Sequence, residues 1–133
     1  MKRLAIDTNI FIALARGDGT VVQTLSEVSE ILLPIVVLGE LHAGMRGGKR
    51  MAENLKRLNA FLAKPRILVP EIGKETAEIY GLVKDSLRQT GNPIPINDVW
   101  IAAQVMEHGA VLWTRDGHFE KIAGLRLFAE ITP

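Results

Sequence analysis

The sequence predicts an α/β protein, a three-layer α/β/α sandwich with a mostly parallel central sheet of four to five strands. Short apolar segments alternate with longer segments of helical periodicity, and strands that are separated by helices pair in parallel. The 133 residues contain no repeat and no evident linker, so a single domain over residues 1–133 is expected. Helices should then cover both faces of the sheet.

The strands are predicted where short apolar runs occur: residues 4–6, 31–33, 66–69, 110–113 and, as a candidate fifth, 125–128. The helices are predicted from apolar periodicity and from end signals: residues 9–16, 20–29, 36–43, 51–62, 72–87 and 97–108. Gly17, Gly44 and Gly91 are expected to end three of these helices. Asp18 is expected to cap the start of the second helix.

Composition excludes several classes of protein. The absence of cysteine excludes disulfides, thiolate nucleophiles and zinc sites that need sulfur ligands. The net charge of +1 indicates no particular partner. The longest apolar run, residues 31–39, is far shorter than the roughly 20 residues that span a bilayer, and the amino terminus lacks a signal-peptide pattern. We therefore expect a soluble, cytoplasmic protein with no membrane association.

Four carboxylates, which we call the acidic quartet, occupy positions that folding could bring together: Asp7, Glu40, Asp98 and Asp116. Asp7 follows the first predicted strand, Asp116 follows the fourth, and Asp98 opens a helix. The carboxyl ends of parallel strands share one edge of a sheet, so these side chains are expected to meet there. Taken singly, each aspartate is explained at least as well by helix N-capping, and Glu40 equally well by a salt bridge.

Convergence of the acidic quartet would predict a cation site. Two like charges ~4 Å apart repel by about 4 kcal/mol at an effective dielectric of roughly 20, so such a site must hold protons or a cation. Oxygen ligands select hard ions, which favours Mg²⁺ and allows Mn²⁺ to substitute. An Mg²⁺ held by carboxylates completes its shell with water and phosphate, which is the chemistry of phosphodiester cleavage.

A basic segment, residues 46–66, carries seven basic residues and one acid, a local charge of +6. One interpretation is a solvated helix face. The other is a surface for RNA phosphates beside an acidic site that would itself repel RNA. The candidate substrate-binding residues combine this segment with two residues next to Asp116: Arg46, Lys49, Arg50, Lys56, Arg57, Arg115 and His118.

The acidic motifs resemble those of the PIN-domain family and, within it, the VapC toxins of type II toxin–antitoxin modules. The matching motifs are Asp7-Thr8-Asn9, Glu40, Asn97-Asp98-Val99-Trp100-Ile101-Ala102-Ala103 and Thr114-Arg115-Asp116-Gly117-His118-Phe119. The resemblance implies a metal-dependent ribonuclease in which the acidic quartet is both catalytic and metal-binding. It also implies three supporting groups: Thr8, Asn9 and Thr114. Pro95 departs from the glycine that many relatives carry, but it removes no ligand.

The resemblance further implies a homodimer that is neutralised by a small antitoxin. A guanidinium matches paired carboxylates, so we expect the antitoxin to insert an Arg into the acidic quartet. Apolar side chains not needed for the core would hold the rest of that partner, the candidates being Phe11, Leu14, Val37 and Leu41. Two alternatives stay open: a phospho-acceptor signalling domain, and a PIN protein that binds or processes nucleic acid without being a toxin.

Overall fold

The computed structural model describes residues 3–130 and contains a sheet of four parallel strands. The strands are β1 (Arg3–Ile6), β2 (Glu30–Leu32), β3 (Ile67–Leu68) and β4 (Val111–Trp113), in the order β3-β2-β1-β4. In β1, the consecutive residues Leu4, Ala5 and Ile6 are all fully buried. Successive strand side chains point to opposite faces, so both faces of the sheet are covered. The predicted α/β fold is confirmed.

Helices follow the strands in the predicted order: α1 (Thr8–Ala15), α2 (Gly19–Ser26), α3 (Ile35–Met45), α4 (Met51–Leu62), α5 (Lys74–Gln89), α6 (Ile96–Glu107) and a 3₁₀ turn (Gly117–Lys121). Asp18 caps α2 by accepting a hydrogen bond from the Val21 amide, as predicted. Gly17 and Gly91, just past α1 and α5, adopt positive φ, which lets the chain reverse at both helix ends.

Three predicted helix boundaries are wrong: α2 ends at Ser26 and not at residue 29, and two further boundaries differ for local reasons. Helix α3 continues through Gly44 to Met45, because the left-handed turn lies at Gly47, where φ is 72°. Helix α6 begins at Ile96, directly after the extended backbone of Pro95. Asp98 therefore lies inside the first turn of α6 and is not its N-cap, which leaves its side chain free for another role.

The candidate fifth strand is reduced to an isolated bridge between Leu112 and Leu127. The Leu112 amide donates to the Arg126 carbonyl, and the Phe128 amide donates to the Leu112 carbonyl. Leu125 and Phe128 pack against the core, but Arg126 and Leu127 are both exposed, so the segment lacks the continuous burial of a strand inside a parallel sheet. The sheet of the described residues thus has four strands.

The core surrounds β1 and β4, where the largest fully buried side chains include Trp113 and Phe119. Four polar residues are buried with it: Asp7, Thr76, Asp98 and Gln104. Because unpaired buried polar groups are costly, each of the four needs partners. Within residues 3–130, no helix has both the length and the hydropathy that crossing a membrane requires.

Candidate active site

Asp7 lies where β1 ends and α1 begins, and it is 5% exposed. Its Oδ1 accepts a hydrogen bond from the Thr8 amide at 2.8 Å, and its Oδ2 accepts one from the Thr114 hydroxyl at 2.7 Å. The Asp7 amide continues the pairing of β1 with β4 by donating to the Trp113 carbonyl. The N-capping interpretation of Asp7 is therefore correct, but it accounts for only one of the two carboxylate oxygens.

Glu40 is half-buried on α3 and is held by neutral donors. The Thr8 hydroxyl donates to Glu40 Oε1 at 2.8 Å, and the Asn97 side-chain amide lies 3.5 Å from Oε2. No basic side chain of residues 3–130 forms an ion pair with Glu40. The salt-bridge interpretation of Glu40 is therefore not supported among these residues. Sequence reasoning also did not predict the contact between Asn97 and Glu40.

Asp98, Asp116 and His118 form the most compact part of the site. One ligand atom from each lies within 4.8 Å of the others. His118 Nδ1 is 3.0 Å from Asp98 Oδ2 and 3.1 Å from Asp116 Oδ1. Asp116 also caps the 3₁₀ turn by accepting a hydrogen bond from the His118 amide at 3.0 Å. His118, expected to contact substrate, therefore lies between two carboxylates of the acidic quartet.

Thr114 links the two halves of the site. Its hydroxyl donates to Asp7 Oδ2 and accepts a hydrogen bond from the Asp116 amide at 3.0 Å. One small side chain thereby fixes the end of β4 against the end of β1. Thr8 makes the equivalent link between Asp7 and Glu40, since its amide and hydroxyl donate to one carboxylate each.

The carboxylates act on one another electrostatically. The pKa of Asp7 is raised, first by burial and then by the charges of Asp98 and Glu40, against the lowering effect of its hydrogen bonds. The pKa of Asp98 is also raised, again mainly by burial, with Asp116 and Glu40 adding to the shift while His118 opposes it. Each of the four carboxylates either has a raised pKa or helps to raise the pKa of another. The four side chains therefore interact electrostatically as one cluster.

The donor chemistry fits a hard divalent cation. The acidic quartet supplies carboxylate oxygens, and an oxygen with one hydrogen bond keeps capacity for a further ligand. Burial and mutual repulsion disfavour the charged forms of Asp7 and Asp98, and a bound cation would relieve both effects. Residues that could hold such an ion are the quartet itself, with the imidazole of His118 beside Asp98 and Asp116.

Arg115 points away from the acidic quartet into an ion-paired cluster. Its Nε is 2.8 Å from Glu130 and its Nη2 is 3.2 Å from Asp18. Its backbone amide donates to the Asn9 side chain at 3.3 Å, which places Asn9 as a support for this loop. A substrate contact by Arg115 stays a prediction, but its guanidinium already has two acidic partners.

The basic segment divides into structural and exposed residues. Arg66 donates to the carbonyls of Leu25 and Val28, so it ties the end of α2 to the start of β3. Arg50 and Arg57 both pair with Glu53. The remaining three candidates of this segment are exposed: Arg46, Lys49 and Lys56.

A groove of about 500 Å³ connects this segment with the acidic quartet. Thr8 and Glu40 lie along it together with Arg50 and Arg57. Arg16, exposed at the carboxyl end of α1, lines the same groove. Sequence reasoning missed Arg16 because it lies outside the basic segment. The sequence could have indicated Arg16, because it lies at the end of the predicted helix that begins next to Asp7.

The apolar residues expected to hold a partner mostly belong to the core, so that expectation is wrong in part. Val37 is fully buried, and Phe11 and Leu41 are only 3% and 4% exposed. The reason is that α1 and α3 turn these side chains into one hydrophobic cluster, while Leu14 packs at its margin. Phe11 and Leu41 still line the groove, but Ile12, which is 38% exposed, is the most exposed apolar side chain that α1 offers to it.

The fold and the site define an α/β protein with a carboxylate cluster where parallel strands end. The profile of the PIN domain matches residues 4–125, so the chain belongs to the PIN-domain family. It is 25% identical to ribonuclease VapC1 of Haemophilus influenzae over 126 residues, 91% of this chain and 92% of the relative. It is 31% identical to ribonuclease VapC4 of Mycobacterium tuberculosis over 85 residues, 64% of this chain and 65% of the relative.

Two solved structures with the same fold are VapBC toxin–antitoxin complexes. VapBC2 of Rickettsia felis, bound to a DNA fragment from its promoter, superposes with a TM-score of 0.84 at 26% identity, covering 95% of this chain and 97% of that one. DNA-bound VapBC of Salmonella typhimurium gives a TM-score of 0.86 at 23% identity over 96% and 98% of the two chains, a likeness of fold. The resemblance drawn from the acidic motifs is confirmed, and the chain is a nuclease.

Proposed function

We propose that this chain is an Mg²⁺-dependent endoribonuclease, the toxin of a type II toxin–antitoxin module, acting as one nuclease domain in the cytoplasm. The observation that carries the proposal is the acidic quartet, in which four carboxylates share one field with no Lys or Arg ion-paired to them in residues 3–130. The names of the VapC relatives support RNA as the substrate and an antitoxin as the partner.

The acidic quartet would hold Mg²⁺, with Mn²⁺ able to substitute. When bound, Mg²⁺ polarises the scissile phosphate and lowers the pKa of an attacking water. The family resemblance implies that cleavage leaves 5′-phosphate and 3′-hydroxyl ends. Sequencing the RNA ends formed shortly after induction would test that polarity and identify the target.

The residues around the quartet hold it in place before the substrate arrives. Thr8 and Thr114 donate to Glu40 and Asp7, and such fixed donors keep the carboxylates oriented without neutralising them. His118 Nδ1 lies 3.0 Å from Asp98 Oδ2 and 3.1 Å from Asp116 Oδ1, so in the tautomer with hydrogen on Nδ1 it donates to these carboxylates. Asn9 supports the loop that carries Asp116 by accepting from the Arg115 amide.

Cleavage by purified protein is the direct test of the proposed function. RNA should be cut with Mg²⁺ or Mn²⁺ and left intact with EDTA, and the Asp7→Asn and Asp98→Asn variants should be inactive while remaining folded. Asp85→Asn is the matched control, because Asp85 is an exposed carboxylate on α5 that pairs with Arg88. Undiminished cleavage by Asp98→Asn would contradict the assignment.

RNA phosphates are proposed to follow the groove that leads from the quartet. The candidates are Arg46, Lys49, Arg50, Lys56, Arg57, Arg115 and His118, together with Arg16, which lines the groove. Replacing Lys49, Arg50, Lys56 and Arg57 by Gln should flatten the salt dependence of RNA affinity by ~0.7 log unit for each phosphate that is no longer neutralised. The control replaces Lys74, Lys84 and Arg88 on α5 by Gln. If the salt dependence of RNA affinity changes equally per charge removed in both variants, the basic segment is a solvated helix face and not an RNA-binding surface.

The antitoxin is proposed to insert an Arg into the acidic quartet. A guanidinium would replace the charge of the cation without reshaping the site, because its rigid fork matches paired carboxylates. The complex should therefore bind Mg²⁺ more weakly than the free enzyme, and excess Mg²⁺ should partly restore cleavage. Antitoxin affinity that is equal with and without millimolar Mg²⁺ would show that the inhibitor acts outside the quartet. A homodimer is also proposed, and light scattering tests it.

A further inference from the structure

One buried polar side chain outside the acidic quartet joins three separate parts of the fold. Gln104 lies on α6 and is fully buried. Its Oε1 accepts a hydrogen bond from the Ile35 amide at 2.9 Å, and its Nε2 donates to the Pro70 carbonyl at 2.8 Å. One side chain thus connects α6 with the start of α3 and with the loop that follows β3.

The hydrogen bond between Gln104 and the Ile35 amide supplies the N-terminal capping interaction that α3 lacks. Ile35 is the first residue of α3, and the preceding Pro34 provides no side-chain cap. The first amides of a helix have no partner within the helix, so they need one from elsewhere when they are buried. Gln104 meets this need from a different helix, and the start of α3 is thereby fixed relative to α6.

The same two helices carry two members of the quartet. Glu40 lies on α3 about 7.5 Å beyond Ile35 along the helix axis, and Asp98 lies on α6 roughly 9 Å before Gln104. We propose that Gln104 is a positioning residue that fixes α3 against α6 and so sets the separation of Glu40 and Asp98. The proposal rests on the proposed function, since it concerns the cation site that these carboxylates would form.

The amide is suited to this role because Gln104 is fully buried and both of its side-chain hydrogen bonds reach half-buried backbone groups. A shift of α3 along α6 would leave the Ile35 amide, the Pro70 carbonyl or the Gln104 side chain without a partner, which is costly where water cannot reach. Groups that hydrogen-bond directly to metal ligands typically change metal affinity about 10–100-fold when they are replaced, and Gln104, which acts through the helices that carry the ligands, is expected near the lower end of that range. Gln104 should therefore act on cation binding and on turnover rather than on RNA affinity.

The experiment compares Gln104→Met, which keeps the length of the side chain but makes neither hydrogen bond, with Thr76→Val. Thr76 is also fully buried, and its hydroxyl donates to Glu107 and accepts from the Gly73 amide, away from the quartet. Both variants should lower the Tm. Only Gln104→Met should weaken Mn²⁺ binding, measured by electron paramagnetic resonance, by about tenfold or more, and lower kcat with KM for RNA unchanged.

If Gln104→Met does not fold, a second pair of variants tests the same hydrogen bond by changing its donor, the Ile35 amide. Ile35→Pro removes the amide hydrogen at the first helical position, where proline is well accepted, and Ile35→Ala controls for the accompanying loss of the isoleucine side chain. Ile35→Pro should lose Mn²⁺ affinity relative to Ile35→Ala. Combining it with Glu40→Gln should give less than the sum of the separate losses, because both act through Glu40.

The outcomes separate the positioning role from the proposed function. If the wild-type protein binds no Mn²⁺, the proposed function fails and this proposal fails with it. If the wild type binds Mn²⁺ and Gln104→Met and Ile35→Pro bind it equally well, the positioning role alone is refuted. Equal losses in Thr76→Val and Gln104→Met would also refute it, since any buried defect would then have the same effect.

Discussion

Replacing Thr114 by valine should remove the hydrogen bonds that connect Asp7 with the Asp116 loop, while the side-chain volume at this position stays nearly the same. The Thr114 hydroxyl donates to Asp7 Oδ2 at 2.7 Å and accepts from the Asp116 amide at 3.0 Å. Valine fills a similar volume but makes neither hydrogen bond. The bond from Thr114 lowers the pKa of Asp7, which burial raises, so its loss should move that pKa further upward.

The size of the effect follows from the two hydrogen bonds. A bond to a charged group contributes about 1.5–3 kcal/mol, and a bond to a neutral amide about 0.5–1.5 kcal/mol. Thr114 is partly exposed, so water replaces some of the loss, and we expect the free energy of unfolding to fall by about 2 kcal/mol. For a chain of this length, that corresponds to a fall in Tm of roughly 6–10 °C.

The pH profile of kcat/KM for RNA cleavage is the assay that separates coupling from stability. Asp7 must be ionised to bind a cation, so the acid limb of the profile should move to higher pH in Thr114→Val. Thr76→Val is the matched control, because Thr76 also donates to a carboxylate, Glu107, and accepts from a backbone amide. It should lower the Tm and leave the acid limb in place. An unmoved acid limb in Thr114→Val would refute the coupling.

In EDTA, Asp7 and Asp98 should make the Tm fall as pH rises from the ordinary carboxyl pKa of 3.8 through their raised pKa values, because folding holds their protons in that window. Asp18 and Glu130, whose pKa values are lowered, contribute the opposite slope near and below their ordinary values. Calorimetry at several pH values on the wild type and on Asp7→Asn/Asp98→Asn isolates the first contribution, and equal pH slopes in the two proteins would contradict it. Mg²⁺ at 100 times its Kd should stabilise the protein by about 2.7 kcal/mol. The same thermal shift in Asp98→Asn would place the ion elsewhere. Arg66→Gln should lower the free energy of unfolding by about 1–3 kcal/mol, since Arg66 donates to two backbone carbonyls, and should leave the salt dependence of RNA affinity unchanged.

The sequence was sufficient to predict where the carboxylates lie relative to the sheet. Asp7 and Asp116 each follow a strand, and the parallel pairing implied by intervening helices places both at one edge. Glu40 stands within an apolar run, and a carboxylate in such a place requires either a partner or a functional role. These inferences depend only on local periodicity and on the rule for parallel strands, which is why they hold without knowledge of tertiary contacts.

Side-chain partners distant in sequence could not be predicted in this way. Arg115 and His118 follow the same strand and looked alike as substrate contacts, yet Arg115 pairs with Asp18 and Glu130 while His118 reaches Asp98. Arg66 looked like part of a basic surface, but it binds backbone carbonyls. In each case the outcome depends on which acceptor folding brings close, and residue type alone does not specify that.

The distribution of ion pairs gives the quartet its capacity for a cation. Arg115 pairs with Asp18 and Glu130, and the exposed Arg50 and Arg57 both lie near Glu53, so none of these three guanidinium groups is ion-paired with the quartet. Among residues 3–130, His118 is the one basic side chain in ion-pair contact with the quartet. Neutral hydroxyls from Thr8 and Thr114 orient the carboxylates instead. On the proposed function, carboxylates oriented in this way would attract a divalent ion, and they would attract an external guanidinium for the same reason.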